Sequence, residues 1–173
     1  MNNHVLKELL EEFRNGDLDA FTKIYTELKV PVYTIIYRIL YNHMVTEDVI
    51  QEIFLKIYNT PPSKNIDNPR AWIFQMSRNL AIDYKRKIRN SEPLSYKIEA
   101  KNSSLENSIS TRLDIESALK LLDAEDREIV TLRINGDLKF REIGEITKIP
   151  LGTVLWRYRK AIDKLRVLLS GGE

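Results

Sequence analysis

Basic side chains near the C-terminus are spaced as they are on helices that bind DNA. Arg157, Lys160 and Lys164 recur at three- and four-residue steps, and with Thr153 and Trp156 they fall on one helical face. Hydroxyl, guanidinium and ammonium groups in such an arrangement can contact base edges and phosphates in a major groove. The segment therefore predicts a nucleic acid as the ligand class.

The elements that must position this face have the spacing of a helix-turn-helix. A short helix is predicted over residues 141–148, followed by a tight connection at Ile149 and Pro150 and by a second helix. The opposite side of the second helix is apolar and is predicted to be core, through Val154, Tyr158, Ala161, Leu165 and Leu168.

A second basic helix is predicted some seventy residues earlier, over 68–89. Arg78, Asn79, Asp83 and Arg86 recur at three- and four-residue steps, so we expect them to share roughly one face. Asn and Asp can hydrogen-bond base edges, while the cations of this helix can hold phosphates: Arg70, Lys85, Arg86 and Lys87. The structural alternative is a solvated basic face, with Trp72 in the core.

Composition limits the remaining possibilities. The chain has 173 residues, a formal net charge of +2 and no cysteine, which excludes disulfides and thiolate metal sites. Residues 1–60 lean acidic, whereas residues 70–89 carry six basic residues against one acidic residue. This segregation indicates a protein partner at one surface and phosphates at another. Because no apolar run is long enough to span a membrane and no signal-peptide core is evident, we expect a cytoplasmic protein.

Helical periodicity dominates, so the predicted fold is all-α, with two small helical domains joined by a flexible linker. The predicted boundaries are 1–90, a linker at 91–112 that is rich in polar residues, and 113–173 with the helix-turn-helix. Residue types that are typical of helix starts predict that five helices begin at or directly after these positions: Asp17, Pro31, Thr46, Asn68 and Asp123.

Three segments in this order resemble the small two-domain sigma factors of bacterial RNA polymerase, the extracytoplasmic-function type. Residues 46–58 (TEDVIQEIFLKIY) resemble the helix of that family that binds core polymerase. Residues 68–74 (NPRAWIF) and 78–86 (RNLAIDYKR) resemble its helix for the −10 promoter element. Residues 149–154 (IPLGTV) resemble the entry to its −35 recognition helix. The resemblance covers nearly the whole chain.

The resemblance implies three sets of site residues. A loop at 59–68 would capture a flipped base, and the implied contacts to the −10 element are Asn65, Asp67, Asn68, Arg70, Arg78, Asn79, Asp83, Arg86 and Lys87. Those implied for the −35 element are Arg141, Thr153, Trp156, Arg157, Lys160 and Lys164. Those implied for core polymerase are Asp48, Gln51, Glu52, Phe54 and Lys56.

The partners that the resemblance implies are core RNA polymerase, through its β′ clamp helices and β flap, and promoter DNA. An anti-sigma factor is a further candidate partner, with Trp156 as a candidate contact. No cofactor, metal or small-molecule substrate is expected. We expect a monomer when the protein is free, because nothing in the sequence looks like a dimerisation helix.

Three departures from the family pattern involve four positions. Leu155 and Trp156 stand where a basic residue and a small polar residue are usual, and Trp cannot make the same hydrogen bonds to bases. Lys148 replaces the usual turn Gly, at a cost of roughly 1 kcal/mol if its backbone is left-handed. Gly144 replaces Ala, which lowers helix propensity by about 1 kcal/mol while allowing close helix approach. Together they predict a marginally stable second domain.

Two other function classes compete with this interpretation. A helix-turn-helix regulator acting on its own would bind duplex DNA tightly without polymerase. An enzyme acting on nucleic acid is disfavoured, because the sequence has no Cys nucleophile, no paired His, no glycine-rich phosphate loop and no metal-ligand spacing.

Overall fold

The structure is a computed structural model that describes residues 1–91 and 115–170. Every regular element in these two ranges is helical, which confirms the predicted all-α class. Four helices belong to the first range: α1 Asn3–Arg14, α2 Leu18–Leu40, α3 His43–Asn59 and α4 Pro69–Ser91. The second range opens with a helical segment at 115–120 and continues with α5 Ala124–Ile134, α6 Phe140–Thr147 and α7 Leu151–Ser170. The linker predicted at 91–112 lies, from residue 92 onward, outside the described residues.

Helix α2 is longer than the sequence predicted. A new helix was expected at Pro31, but α2 runs through this proline without interruption. A proline removes one backbone hydrogen bond, whereas the apolar face of α2 stays buried on both sides of it, through Leu28 and Val32. Burial of that face therefore outweighs the loss of one bond, and the predicted break at Pro31 was wrong.

Of the other four predicted helix starts, three are confirmed and one, at Thr46, needs correction. The Asp17 side chain accepts from the backbone of Asp19 at 2.9 Å, and the Asn68 side chain accepts from that of Ala71 at 2.8 Å. Helix α3 starts at His43 rather than at Thr46, because Asn42 caps it at 3.1 Å from the Val45 nitrogen. Helix α5 starts at Ala124, directly after Asp123 as predicted, but the Asp123 side chain makes no capping hydrogen bond.

The two groups of helices pack against each other. Helix α2 is central to the first group, where it contacts α1, α3 and α4, and its outer side receives α5. One cluster of buried apolar side chains runs from Leu6 and Ile36 to Leu132 and Val154. A smaller cluster, with Leu119, Val130 and Ala161, holds α7 on α5. The separate domains expected from the sequence thus share an interface.

Candidate nucleic-acid interface

The second helix of the helix-turn-helix, α7, displays part of the predicted DNA-contacting set. Thr153 is exposed at its first turn, and Trp156 is 60% exposed. The Lys160 ammonium lies over the Trp156 ring, 5.4 Å from its centroid. Exposed aromatic and cationic groups side by side offer a surface to bases and phosphates alike. Arg141, on α6, is also exposed.

Arg157 points a different way, into ion pairs with the start of α5. Its Nη1 donates to Oδ1 of Asp126 at 2.7 Å, and its Nη2 lies 2.6 Å from Oε2 of Glu125. The hydrogen bond to Asp126 raises the pKa of Arg157, and the charges of Glu125 and Asp126 act in the same direction. Arg157 therefore holds α7 against α5, and its guanidinium is not presented beside Thr153 and Trp156.

Lys160 and Lys164, the other two basic residues of the predicted −35 set on α7, also contact residues in or just before α5. Lys160 Nζ lies 3.5 Å from Asp126 and 3.8 Å from Asp123. Lys164 donates to the Leu121 carbonyl at 2.8 Å. Of the apolar face, Val154 and Ala161 are fully buried and Tyr158 and Leu165 partly so, but Leu168 is 37% exposed and does not join the core as predicted.

The turn between α6 and α7 has the geometry that the departures from the family pattern suggested. Lys148 adopts a left-handed backbone with φ of 63°, and its amide closes α6 onto the Gly144 carbonyl. A Cβ placed on Gly144 would lie 2.8 Å from the Ile149 carbonyl oxygen. Glycine at 144 therefore allows the backbone contact that closes the turn.

Helix α4 divides the predicted −10 residues between two sides, contrary to the single face expected. Asn79 and Asp83 line an open groove of about 310 Å³ together with Trp72, which packs against the core as the structural alternative held. Arg78 shares its side with Ile82 and faces the second group of helices. Consecutive residues differ by about 100° around a helix, so Arg78 and Asn79 cannot point the same way.

Three residues of the predicted −10 set contact the second group of helices. Arg78 donates from Nε and Nη2 to the two carboxylate oxygens of Glu128, at 2.6 and 3.2 Å. Arg70 is only 8% exposed and donates from Nε to the Gly136 carbonyl at 2.7 Å. Burial lowers the pKa of this arginine. Asn68 donates to Glu142 at 2.5 Å.

The rest of the predicted −10 set faces outward. Asn65 and Asp67 are exposed in the loop before α4. Arg86 pairs with Asp83 at 3.1 Å, on the open side of the helix. Lys87 lies over the Tyr84 ring, 5.3 Å from its centroid. The open side thus combines amide, carboxylate and cationic groups near a groove with an aromatic wall.

All five predicted polymerase-contacting residues lie on α3, and four of them reach its surface. Asp48 and Gln51 are exposed. Glu52 pairs with Lys56 at 2.7 Å and accepts from the Tyr84 hydroxyl at 2.9 Å. The exception is Phe54, which is 4% exposed and packs into the core, so its ring is not available on the surface that the other four share.

An apolar groove that the sequence pattern had not predicted lies beside this polar surface. Leu55 is 59% and Tyr58 is 45% exposed, and both line a groove of about 390 Å³ that also includes Gln51. Phe54 contributes to the same groove from the core side. The signal was present in the sequence, because Leu55 lies off the apolar stripe of α3.

No helix within residues 1–91 or 115–170 has the length and apolar character of a membrane span. The same residues contain no group of three or more His, Cys, Asp or Glu side chains that could hold a metal ion.

Two models of known protein families match the two groups of helices. The model of Sigma-70 region 2 matches residues 24–91, which hold α3, α4 and most of α2. The model of Sigma-70 region 4 matches residues 118–167, which hold the helix-turn-helix. The chain therefore carries both regions, in the order expected from the resemblance.

Individual proteins agree with the family models. The chain is 29% identical to the ECF RNA polymerase sigma factor SigW of Bacillus subtilis, over 94% of this chain and 95% of that protein. It is 30% identical to the ECF RNA polymerase sigma factor RpoE of Cereibacter sphaeroides, over 72% of this chain and 70% of that protein.

Solved structures share the fold at lower identity. CnrH in complex with the cytosolic domain of CnrY has a TM-score of 0.66 and 19% identity, covering 98% of this chain and 99% of that chain. The sigma factor RpoE of Bartonella quintana, in complex with the anti-sigma factor NepR, has a TM-score of 0.61 and 22% identity, covering 87% and 99%. With both sigma regions matched and full-length relatives of this kind, the chain belongs to the extracytoplasmic-function (ECF) family of RNA polymerase sigma factors.

Proposed function

We propose that this sigma factor joins core RNA polymerase through α3 and reads two promoter elements, one with each domain. The observation that carries the proposal is the pairing of two exposed polar faces on separate domains. Asn79, Asp83 and Arg86 lie on the open side of α4, and Thr153 and Trp156 are exposed on α7. Two weak contacts on one chain reinforce each other through effective concentration once polymerase fixes their spacing.

The −10 contact would combine the open side of α4 with the loop before it. Asn65 and Asp67 offer hydrogen-bonding groups for an extruded base, which offsets the few kcal/mol of unstacking. The −35 contact would use Thr153 and Lys160 for the backbone and base edges, with Trp156 against a thymine methyl or a sugar. Arg157 would act indirectly by fixing the tilt of α7, since Asp126 and Glu125 engage it.

The polymerase contact would use the polar residues Asp48, Gln51, Glu52 and Lys56, extended by the apolar groove at Leu55 and Tyr58. Acidic groups complement a basic partner surface and favour its rate of encounter and register. Exposed apolar side chains next to them supply area for burial. We further propose that the protein acts in the cytoplasm and that an anti-sigma factor masks one or more of these faces.

The test is multi-round transcription with purified core polymerase on a genomic fragment library, with and without the protein. New transcripts that share a two-element motif would support the proposal. If none appear and the protein alone binds duplex DNA tightly, the regulator alternative is correct.

Sigma factors are transcription initiation factors without enzymatic activity, and we propose the same for this chain.

Residue assignments are tested separately on the promoter that this assay recovers. Asn79→Ala should lower melting of the −10 element, because it removes an amide from the open side of α4. Trp156→Ala should change preference at the −35 element while leaving polymerase binding intact. Leu55→Asp should instead weaken polymerase binding, with Leu18→Asp, another exposed leucine of the same domain (59% exposed), as the matched control.

A further inference from the structure

Helix α1 lies beside the loop between α3 and α4, residues 60–68, to which the proposed function assigns an extruded base. Neither family model includes α1, because the two models match residues 24–91 and 118–167. Three leucines bury one side of this helix in the core: Leu6, Leu9 and Leu10. Helix α1 is therefore a rigid support for the polar side chains that it carries.

Two side chains of α1 contact the loop itself. Arg14, in the last turn of the helix, donates from Nη2 to the Pro62 carbonyl. This hydrogen bond is charge-assisted and its acceptor belongs to a buried residue, and both conditions strengthen it. The carboxylate of Glu11 lies 3.5 Å from the Lys64 ammonium, but both side chains are 61% exposed, so this pair contributes little. Arg14 therefore makes the stronger contact with the loop.

The chain on either side of the loop is also attached to α1. Before the loop, the Phe13 ring packs on that of Tyr58, with the ring centroids 5.3 Å apart. After the loop, the Asn3 side chain accepts from the backbone nitrogen of Arg70 at 3.1 Å. Because these two contacts fix the flanks of the loop, the Pro62 carbonyl is the point at which α1 determines the path of the loop between them.

The exposed part of the loop begins directly after Pro62. The Ser63 hydroxyl accepts from the Asn65 nitrogen at 3.3 Å, which forms a tight turn. The Ser63 carbonyl accepts from the Ile66 nitrogen at 3.1 Å and closes the same turn. Asn65, exposed within this turn, is three residues from Pro62, so a shift of the Pro62 carbonyl displaces the Asn65 side chain as well.

We propose that Arg14 is a positioning residue for the −10 contact, because it holds the Pro62 carbonyl and thereby places Asn65 for the extruded base. The guanidinium itself does not touch the base. Extrusion costs free energy, and a loop that is already in place recovers more of it than a loop that must be ordered on binding. The role in base capture rests on the proposed function, whereas the hold of Arg14 on the loop does not.

The hold on the loop is measured without DNA. The chain contains no cysteine, so Lys64→Cys carries a single spin label at an exposed position of the loop. Arg14→Met removes the guanidinium and keeps an unbranched side chain, and it should make the label more mobile, with loss of the slow component of its spectrum. Lys7→Met is the matched control, because Lys7 is exposed on α1 and loses the same charge. An unchanged spectrum in Arg14→Met, or an equal change in both variants, would overturn the hold on the loop.

Base capture is measured with holoenzyme, formed from core polymerase and each variant, on a labelled single strand that carries the −10 element from the transcription assay. Each base of the element is replaced in turn by an abasic site. In the parent, the loss of affinity should be largest at the extruded position. In Arg14→Met this loss should shrink about fivefold, the factor that corresponds to the net contribution of one hydrogen bond, while the losses at the other positions stay the same. Lys7→Met should keep the parental pattern.

Two further variants separate positioning from other roles. Arg14→Lys should restore most of the parental loss at the extruded position, because an ammonium can also donate to the Pro62 carbonyl. Arg14→Met combined with Asn65→Ala should bind about as weakly as Asn65→Ala alone, since the first substitution acts through Asn65. Circular dichroism of each variant distinguishes release of the loop from unfolding.

Two outcomes on DNA would overturn the positioning role. Equal weakening at every position of the element would mean that Arg14 binds phosphates through its charge. Additive losses in the double variant would mean that Arg14 and Asn65 act independently. If the parent directs no transcription, the proposed function fails, whereas the spin-label result stands by itself.

Discussion

Asp126 is expected to hold the recognition helix in place, and Asp126→Asn tests this. Its carboxylate is 3% exposed in the first turn of α5. It accepts from Arg157 at 2.7 Å and lies 3.5 Å from the Lys160 ammonium. The substitution keeps the size of the side chain and one hydrogen-bond acceptor but removes the negative charge that Arg157 and Lys160 share.

The expected decrease in the free energy of unfolding is the sum of three lost interactions. A charge-assisted hydrogen bond is about twice as strong as a neutral one, so about 1 kcal/mol is lost at Arg157. The half-exposed Lys160 contributes about 0.5 kcal/mol, as partly solvated pairs do. A carboxylate in the first turn of a helix contributes roughly 0.5 kcal/mol through the helix dipole. We therefore expect Asp126→Asn to lower the free energy of unfolding by about 2 kcal/mol.

The assay is urea denaturation followed by circular dichroism, together with transcription from promoters with and without a −35 element. The matched control is Glu125→Gln, because Glu125 also pairs with Arg157 but is 58% exposed. It should cost less than about 1 kcal/mol. Asp126→Asn should weaken use of −35-dependent promoters more than use of others. Equal stability losses in both variants, or equal losses on both promoter types, would refute the positioning role.

Three other substitutions give expected outcomes. Lys148→Gly should raise the free energy of unfolding by about 0.5 kcal/mol, measured in urea, because relief of the left-handed backbone exceeds the added entropy of the unfolded chain. Gly144→Ala should lower the melting temperature despite better helix propensity, because its Cβ would meet the Ile149 carbonyl oxygen at 2.8 Å; an unchanged melting temperature would contradict this contact. Tyr84→Phe should raise the pKa of Glu52 in an NMR titration, because hydrogen bonds from Lys56 and, after it, Tyr84 hold that pKa below its ordinary value. A carboxyl group whose pKa is lowered by folding stabilises the folded protein at a pH above its ordinary pKa, and this stabilisation is lost as the pH falls. The difference in the free energy of unfolding between the parent and Tyr84→Phe should therefore shrink as the pH falls below about 4.5.

The sequence predicted a structural feature correctly where a residue acts only on its own helix. Asp17 and Asn68 cap helices as their positions predicted, and Lys148 has the left-handed backbone that its place after α6 required. These features depend on three or four neighbouring residues, so the sequence displays them directly. The helix break predicted at Pro31 was wrong because of tertiary packing. The buried face of α2 continues through the position where the local signal predicts a break.

Sites that depend on distant partners were predicted less well. Arg78 and Glu128 are fifty positions apart and belong to different matched regions, so no periodicity joins them. The division of α4 into two sides could have been found, because adjacent residues on a helix diverge by about 100°. The sequence could not predict that α5 covers the Arg78 side of α4, since this contact depends on how the two domains pack against each other.

Arg157 shows why exposure and partners must decide which basic residue reads DNA. By spacing alone it is equivalent to Lys160, yet two carboxylates of α5 engage it, while Trp156 beside it is left exposed. An Arg157→Ala variant would therefore lose −35 activity even if its guanidinium never touched DNA, because α7 would lose its fastening to α5. Loss of activity in that variant cannot by itself assign a base contact. The assignment requires the comparison with Asp126→Asn, which leaves Arg157 in the chain while removing the carboxylate that buries part of it.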